Sequence, residues 1–334
     1  MVIVCTVLIS ATGCKDNPLK VNVDDVDVSI NFKRFDKSIF NIDTNNVGAA
    51  LVQLKQQYLN FYPSYYNQIL MLDHYNDSSL EAKTFKEFLA FKPTEELFGT
   101  IEKKFDNVEP YNKEITTAFK HYKYYFPNDS LPNIIYFPGI LKYGCIYYGD
   151  NIAIGLDMYL GKDYPYESIM DLSNFLIVKM RPEYITRNVV NAMGNYRFNK
   201  FNTGKRFIDQ LIYEGKIAYF IDAMMPDAAD SIKLAFSGGD VEWCENNEWQ
   251  MWQHIVDPKL KVLYNNDPDE INRYFEEGPF TNANGVPPES PARFVVWLGR
   301  QVVRQYMDNS KATLEQLMQE TDSDKILRES KYKP

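Results

Sequence analysis

The sequence predicts an α+β fold: a predominantly helical single domain with a small mixed sheet. Apolar residues recur at helical spacing over 45–125 and again from about residue 183 onward. Between these regions, 131–156 holds short β-like runs separated by the turn dipeptides Pro138-Gly139 and Gly149-Asp150. Helices, a small sheet and further helices, in that order, indicate the α+β class.

The first residues predict an export signal. The apolar run from Val2 to Ile9 is too short to span a membrane, which takes about 20 residues, but it suits the central region of a signal peptide. The small residues Ala-Thr-Gly at 11–13 permit cleavage before Cys14, as in a bacterial lipoprotein signal. The alternative, a buried N-terminal strand, is disfavoured because a polar segment with a proline follows.

This signal divides the chain into three parts. Residues 1–13 are predicted to be a signal peptide, 14–24 a tether lipidated on Cys14, and 25–334 a single globular domain. A diacylated cysteine anchors a protein to a membrane without spanning it. We therefore expect a cell-envelope protein that is lipid-anchored to a membrane and faces the periplasm or the cell surface.

Composition narrows the function further. A hydrophobic content of 45% with 24% charged residues is typical of a globular protein with a substantial core. The net charge of −9 argues against nucleic acid as a partner, because such binding relies on basic surfaces. Cys145 and Cys244 are compatible with one disulfide, but two buried thiols are favoured, since a chain of this size needs no covalent staple.

The individual elements follow from the spacing of apolar residues. Residues 23–35 alternate apolar and polar side chains, the period of a half-buried strand. Four or five helices are predicted between 45 and 125, with prolines near their boundaries. Strands are predicted at 131–137, 144–148 and 151–156, and the later helices are predicted at 183–197, 205–225, 227–236, 240–255, 291–307 and 311–329.

Glu214 is the first candidate for chemistry. It lies in the predicted helix 205–225 along a stripe of apolar residues spaced three and four apart. A carboxylate there has to be paired or functional, because burying an unpaired charge is costly. The following Gly215 allows another helix to approach closely. The candidate partners for the carboxylate are Arg187, Arg197 and Arg206.

The layout around Glu214 resembles zinc metallopeptidases of the zincin type. In those enzymes a sheet edge strand precedes a His-Glu-x-x-His helix and a second helix donates a glutamate, and here the strand 152–156 and Glu214 match. The metal-binding helix does not match, because 182–196 contains no histidine and reads Arg-Asn-Val-Val-Asn at the corresponding place. The resemblance implies a degenerate zincin-like architecture, with Asn188 and Asn191 in the lost motif. No metal and no cofactor are expected.

An acidic and aromatic segment is the second candidate. Glu242, Glu245 and Glu248 flank three tryptophans, and a carboxylate pair beside aromatic rings is what a glycosidase uses. However, two carboxylates on one helix face do not readily flank a bond from opposite sides. The favoured interpretation is that the acids cover a solvated edge and the tryptophan rings dock into the core.

Six phrases in the second half of the chain carry a family resemblance. They are Met180–Ile185, Leu211–Lys216, Trp243–Glu248, Gly278–Phe280, Ser290–Arg293 with Trp297–Gln301, and Ser330–Pro334. In this order they resemble the GldB family of gliding-motility lipoproteins of Bacteroidetes. The resemblance implies a cell-envelope lipoprotein required for gliding, linked to the type IX secretion and motility machinery, with no established catalytic activity.

These observations lead to a structural and a functional prediction. We predict that the former metal cavity is filled by a polar network of Glu214, Asn188, Asn191, Glu248 and Arg300. Arginine suits bidentate pairing with a carboxylate, here Glu214 or Glu248.

The functional prediction is a non-catalytic lipoprotein of the motility and secretion machinery. Its expected partners are the membrane, through the lipid anchor, and other envelope proteins. A surface glycan- or peptide-binding lipoprotein is the alternative. A metal-dependent hydrolase that combines Glu214 with a distant residue such as His254 is the third hypothesis.

Overall fold

The computed structural model describes residues 17–334, so the predicted signal peptide at 1–13 and the lipidation of Cys14 lie outside the described residues. The protein is 57% helical with one mixed sheet of four strands, which confirms the predicted α+β class. Within residues 17–334, no helix combines the length and apolar character needed to cross a membrane.

The first half of the chain is a short strand followed by a group of helices. Pro93 and Pro110 occupy the first turns of two helices, and Asp77 caps another by accepting hydrogen bonds from the N–H groups of Ser79 and Leu80. The elements are β1 (Phe32–Arg34), α1 (Phe35–Phe40), α2 (Val47–Gln57), α3 (Phe61–Ser64) with a π-helical turn at Tyr65–Ile69, α4 (Ser78–Ala90), α5 (Lys92–Lys104) and α6 (Glu109–Tyr125).

The sheet gains its other three strands from the middle of the chain. They are β2 (Asn133–Phe137), β3 (Cys145–Tyr148) and β4 (Asn151–Gly155), which confirms the three predicted strands. The spatial order is β1-β2-β4-β3, with β2 parallel to both of its neighbours and β3 antiparallel to β4. Gly149 makes the β3–β4 turn at φ 54°, a conformation that glycine adopts without strain.

The predicted strand at 23–35 is much shorter than expected. Only Phe32–Arg34 pairs with β2, and Phe35 already begins α1. The alternation is nevertheless visible in burial, since Val26, Val28 and Ile30 are half-buried between exposed neighbours. The alternation of apolar and polar residues correctly identified which side chains of this segment pack against the rest of the protein. It could not predict how many residues form hydrogen bonds with β2, because that number depends on β2 itself, which has only 5 residues.

The second half of the chain is helical. Three single turns of 3-10 helix, at Leu156–Tyr159, Pro182–Tyr184 and Asn199–Phe201, connect longer elements. The α-helices are α7 (Tyr166–Met170), α8 (Asn174–Ile177), α9 (Ile185–Phe198), α10 (Phe207–Met224), α11 (Asp230–Leu234), α12 (Gly238–Asn246), α13 (Glu248–Val256), α14 (Pro268–Phe275), α15 (Phe294–Asn309), α16 (Leu314–Gln319) and α17 (Ser323–Ser330).

Two of the predicted helices are each divided in two. The helix predicted at 240–255 breaks at Asn247, whose side chain donates a hydrogen bond to the carbonyl of Trp243. The helix predicted at 311–329 breaks before Asp322, which caps α17. In both places a polar side chain satisfies main-chain groups and so competes with continuation of the helix. The sequence analysis also missed α7, α8 and α14, which are too short for a clear period.

Helix α10 forms the core of the second half. Of its 18 residues, 16 are buried, and the exceptions are Gln210 and Glu214. The helix begins after Arg206, whose backbone N–H donates to the Asp209 carboxylate at 2.9 Å. A helix that is buried on nearly all sides must be enclosed by other elements, and α6, α9, α15 and α17 pack around it.

Helices α10 and α15 cross at two glycines. A Cβ added to Gly215 would lie 2.3 Å from the carbonyl oxygen of Gly299, and one added to Gly299 would lie 2.3 Å from the carbonyl oxygen of Leu211. Only glycine allows backbones to approach this closely. The expectation that Gly215 permits a close helix contact is therefore confirmed.

Replacing Gly215 with alanine is expected to lower the free energy of unfolding by about 3 kcal/mol or more, because the clash is with main-chain atoms that no rotamer change can move. Gly99→Ala is the matched control. Gly99 lies inside α5 with nothing within 4 Å of an added Cβ, so alanine is expected to raise the free energy of unfolding by about 0.5–1 kcal/mol. Urea unfolding followed by circular dichroism measures both. Similar effects of the two substitutions would contradict the close crossing.

Candidate functional site

Glu214 lies in a half-buried polar cluster. Together with Gln210, one turn earlier, it forms the strip of α10 that reaches solvent. Gln210 Nε2 donates to Glu214 Oε1 at 3.1 Å, and the Glu214 side chain is 22% exposed. The apolar residues of the predicted stripe, Phe207, Leu211, Ala218 and Ile221, are buried, whereas Glu214 itself is half-buried. Because α10 is apolar around most of its circumference, spacing alone could not show that Glu214 points toward its one open strip.

Arg293 is the cation that contacts Glu214. Its Nη2 lies 3.8 Å from Glu214 Oε2, and its Nη1 lies 2.7 Å from Glu277 Oε1. Glu277 also lies 2.5 Å from Lys179 Nζ, so charges of opposite sign alternate along the cluster. Arg293 precedes α15 in the left-handed conformation, with φ 61°, which is uncommon for a residue with a Cβ. Backbone strain of this kind is concentrated at functional positions.

Helix α9 contributes Arg187 and Asn188 to the same region. Arg187 Nε donates to the carbonyl of Lys233 at 3.1 Å, and its Nη1 donates to Asn188 Oδ1 at 3.2 Å. Asn188 Nδ2 in turn donates to the Tyr159 hydroxyl at 3.0 Å. Arg187 therefore acts on Glu214 through its charge, while its own hydrogen bonds go to α9 and α11.

Burial sets the protonation of this cluster. It raises the pKa of Glu214 above the ordinary value, and the attraction of Arg293 and Arg187 offsets that shift only in part. Burial also lowers the pKa of Arg187 to about 10, which leaves the guanidinium charged at neutral pH. Burial would raise the pKa of Glu277, but Arg293 and Lys179 outweigh it and lower that pKa. Glu277 is thus a fixed anion, and Glu214 is the carboxylate that takes up a proton more readily.

A cavity of about 350 Å³ adjoins this cluster. Lys179 of the cluster lines it, together with Gly278 and Ala292, which neighbour Glu277 and Arg293 in the chain. The apolar part of its wall includes Phe175, Val178, Ile232 and Phe236.

Arg181 gives this cavity a cation with unused hydrogen-bonding capacity. Its guanidinium lies 5.3 Å from the centre of the Tyr184 ring. Its Nε is buried and has no hydrogen-bond partner among residues 17–334. Its Nη2 donates to the Tyr184 hydroxyl at 3.3 Å. The cavity wall therefore combines apolar side chains with one guanidinium, a group that suits a carboxylate.

Arg300 belongs to a second cluster. It is fully buried, and it donates to Asp222 from Nε and Nη2 at 2.7 and 2.6 Å and to Asp230 from Nη1 and Nη2 at 2.7 and 2.8 Å. Arg304 lies 2.9 Å from Asp222, and Lys233 lies 2.9 Å from Asp230. Burial would raise the pKa of Asp230, but hydrogen bonds from Arg300 and Lys233 lower it well below the ordinary value. Three cations thus surround two carboxylates where α10, α11 and α15 meet.

The predicted pairing of Arg300 with Glu214 or Glu248 is therefore wrong. Arg300 follows Gly299 at the helix crossing, and it reaches along α10 toward Asp222. Two of the cations proposed for Glu214 also bind elsewhere: Arg197 lies 3.8 Å from Asp129, and Arg206 lies 2.8 Å from Asp209.

Glu248 and Asn191 take part in neither cluster. Glu248 Oε1 accepts a hydrogen bond from the Tyr332 hydroxyl at 2.5 Å, which ties the end of the chain to α13. The backbone carbonyl of Asn191 accepts a hydrogen bond from Asn195 Nδ2 at 3.0 Å. The single predicted network is thus divided, because its members lie on different sides of the core helices. Only Glu214 and Asn188 are brought near each other, through Arg187.

The acidic and aromatic segment does not form a carboxylate pair. Glu242 and Glu245 are exposed, and Glu248 lies on the next helix. Trp243 and Trp252 pack against the core, as predicted for the tryptophans of this segment. Trp249 does not, because it is 57% exposed.

The histidines and cysteines that the structure describes belong to no group that could hold a metal ion. Within residues 17–334, no three His, Cys, Asp or Glu side chains are grouped so that they could hold a metal ion. His254 Nε2 lies 2.9 Å from the Tyr274 hydroxyl. Cys145 and Cys244 are free thiols, as predicted, and burial raises the pKa of Cys145 to about 12.

Asp157 is a buried carboxylate that the sequence analysis missed. Its two oxygens accept hydrogen bonds from the backbone N–H groups of Gly139 and Leu141. Ile140 and Leu141 have φ of 48° and 60°, so this loop turns its N–H groups around the carboxylate. Burial raises the pKa of Asp157 to about 6 in spite of these bonds. What marks Asp157 as unusual is the conformation of the 139–141 loop, and the spacing of apolar residues in the sequence does not reveal that conformation.

Arg300→Met is expected to lower the free energy of unfolding by about 3–5 kcal/mol, because it leaves the buried Asp222 carboxylate without its bidentate partner. Arg304→Met is the matched control. Arg304 is 35% exposed and Asp222 keeps Arg300 in that variant, so the expected loss is about 1 kcal/mol or less. Urea unfolding compares the two. A loss for Arg300→Met no larger than that for Arg304→Met would contradict the role of Arg300.

Comparison with known proteins assigns the family. A sequence model of the family described as gliding motility protein GldB matches residues 16–334, which include both charge clusters. No curated protein and no solved structure matches the chain. The chain therefore belongs to the GldB family of gliding motility lipoproteins.

Proposed function

We propose that this protein is a non-catalytic envelope lipoprotein that serves as a rigid binding partner within the gliding motility and type IX secretion machinery. The observation that carries the proposal is the ion pairing of its central charged groups. Glu214 faces Arg293, and Arg300 is held between Asp222 and Asp230. Groups committed to such pairs stabilise one arrangement of helices. Membership of the GldB family supports the motility role.

The lipid anchor is proposed to be Cys14. The apolar run at 2–9 and the small residues at 11–13 support this assignment, as does the lipoprotein character of the family. The anchored domain then works at a membrane, facing the periplasm or the cell surface. Its proposed partners are other envelope proteins of the same machinery.

The surroundings of Glu214 support a structural role for this carboxylate. One oxygen accepts a hydrogen bond from Gln210 and the other faces Arg293. On α9, Arg187 donates hydrogen bonds to the carbonyl of Lys233 and to Asn188 Oδ1. Asn188 in turn donates to the Tyr159 hydroxyl. A permanent cation beside a carboxylate disfavours a metal ion at the same place. We therefore interpret this cluster as the filled site of a degenerate zincin-like architecture.

One observation favours a second candidate function, the binding of a peptide or glycan without cleavage. The 350 Å³ cavity is lined by apolar side chains and by Arg181, whose guanidinium is a cation in its wall. A guanidinium suits a carboxylate on a peptide or an acidic sugar. This function is compatible with the first, because a protein partner can supply the same chemistry. A metal-dependent hydrolase is the least supported of the three hypotheses.

Glu214→Gln is expected to leave gliding unchanged. Glutamine keeps the shape of the side chain, and the lost pair with Arg293 is partly exposed at 3.8 Å, so it contributes about 1 kcal/mol or less. The measurement is colony spreading of a gliding strain that lacks its own copy and carries the variant. The wild-type chain is the positive control, and Cys14→Ser is expected to abolish spreading because it removes the anchor.

Two results would contradict the proposal. Loss of spreading in Glu214→Gln, with protein level and membrane location unchanged, would show that the charge of Glu214 has a function beyond its ion pair with Arg293. Normal spreading in Cys14→Ser would show that lipidation at Cys14 is not needed.

A further inference from the structure

The first described residues pack against the body of the protein. Leu19 and Val23 are each only 9% exposed, and Leu19 belongs to the hydrophobic core. Asn17 Nδ2 donates to the carbonyl of Pro226 at 3.4 Å, in the turn between α10 and α11. The segment predicted as a tether is thus docked from Asn17 onward.

Charged and polar contacts hold this segment in place on two sides. Lys20 Nζ lies 2.5 Å from the Asp227 carboxylate in the α10–α11 turn. On the other side, α6 contacts the segment: Lys120 Nζ donates to the carbonyl of Asp24 at 3.1 Å, and the Tyr125 hydroxyl donates to the carbonyl of Leu19 at 3.5 Å. The docked segment therefore lies between the end of α6 and the α10–α11 turn.

The short distance along the chain to Cys14 limits how far this region can be from a membrane. Cys14 and Asn17 are three Cα steps apart, which span about 11 Å at most. This step rests on the proposed lipidation of Cys14. A lipid anchor at Cys14 keeps Asn17 close to the headgroups whatever conformation the intervening residues take.

We propose that the short tether holds one defined surface of the domain against the lipid headgroups. This membrane-facing surface consists of Asn17–Lys20, the end of α6 at Lys120–Tyr125, and the α10–α11 turn at Pro226–Ala229. The domain is then oriented on the membrane and presents the opposite end of α10 to the envelope space.

The side chains of the membrane-facing surface suit a lipid interface. Tyr124 is 50% exposed at the end of α6 and packs edge-on against Tyr125, 5.0 Å between ring centres. Tyrosine is favoured at the boundary between lipid and water because its ring is apolar and its hydroxyl is polar. Lys120 and Lys123 lie on the same helix end, and lysines near a membrane are attracted by anionic headgroups. The exposed acid of the turn, Asp227, is paired with Lys20.

Tyr264 provides a matched reference at the other end of α10. It is 58% exposed and lies 5.7 Å from the guanidinium of Arg206, just before the helix begins. The turn at Pro226 begins two residues after Met224, the last residue of the same helix. Helix α10 has 18 residues, which corresponds to a length of about 27 Å. Tyr124 and Tyr264 thus have similar exposure in the isolated protein but differ in their distance from the tether.

The test compares the oxidation of these two tyrosines by hydroxyl radicals, measured by mass spectrometry. The lipidated full-length protein is inserted into the outer leaflet of preformed vesicles of phosphatidylethanolamine and phosphatidylglycerol. Soluble Cys14→Ser protein is the reference. Tyr124 is expected to react several-fold more slowly on vesicles than in the soluble form, whereas Tyr264 reacts at the same rate in both.

A linker variant tests whether the tether is the cause. A flexible Gly/Ser linker of about 20 residues between Asp16 and Asn17 spans about 25 Å and frees the domain from the bilayer. Tyr124 is expected to regain the rate of the soluble form in this variant, with the Tyr264 rate and the thermal unfolding curve unchanged.

Four results would overturn the inference. If Tyr124 is oxidised at equal rates in the soluble and vesicle-bound forms, and flotation shows that the protein is bound, the proposed membrane-facing surface is wrong. The proposed lipid anchor is not affected by that result. If Tyr124 oxidation stays slow in the linker variant, or if Tyr264 is protected as strongly as Tyr124, the claim that the tether orients the domain is wrong. If the wild-type protein fails to float with vesicles and carries no lipid, the anchor of the proposed function fails as well.

Discussion

The close crossing of α10 and α15 is the constraint on which the rest of the helical half depends. At Gly215 and Gly299 the two backbones approach so closely that an added Cβ would lie 2.3 Å from a carbonyl oxygen. No side chain separates the helices there, so residues of α10 and α15 on both sides of the crossing lie close enough to pair with each other. Arg300, next to Gly299, reaches Asp222, which lies two turns beyond Gly215 on the same face of α10. Glu214 projects on the other side, toward Arg293 at the start of α15.

The two charge clusters have different characters because their burial differs. Arg300 is fully buried and bound on both sides, so its pairing with Asp222 and Asp230 specifies how α10, α11 and α15 fit together. Glu214 and Arg293 are each about one-fifth exposed and lie 3.8 Å apart, next to an open cavity. Arg300 of the first cluster is closed to solvent, whereas Glu214 and Arg293 of the second are open to it.

Sequence reasoning located most elements but not the contacts between them. The period of apolar residues identified the strands at 131–156 and the long helices, because period depends on local burial. It failed at Asn247, where a side-chain hydrogen bond ends a helix that the pattern continues. The partner of Arg300 was wrong for a different reason: a pairing between α10 and α15 depends on the crossing position, which the sequence shows only as two isolated glycines. The zincin-like layout stays a prediction.

If the close crossing at Gly215 and Gly299 couples α10 to α15, these two helices open only when the whole protein unfolds. Native-state hydrogen exchange read by mass spectrometry tests it most directly, since it reports the free energy of opening for each helix. The amides of both helices are expected to exchange at the same free energy, equal to that of global unfolding. Exchange of α15 by local opening, at a free energy well below that of α10, would contradict it.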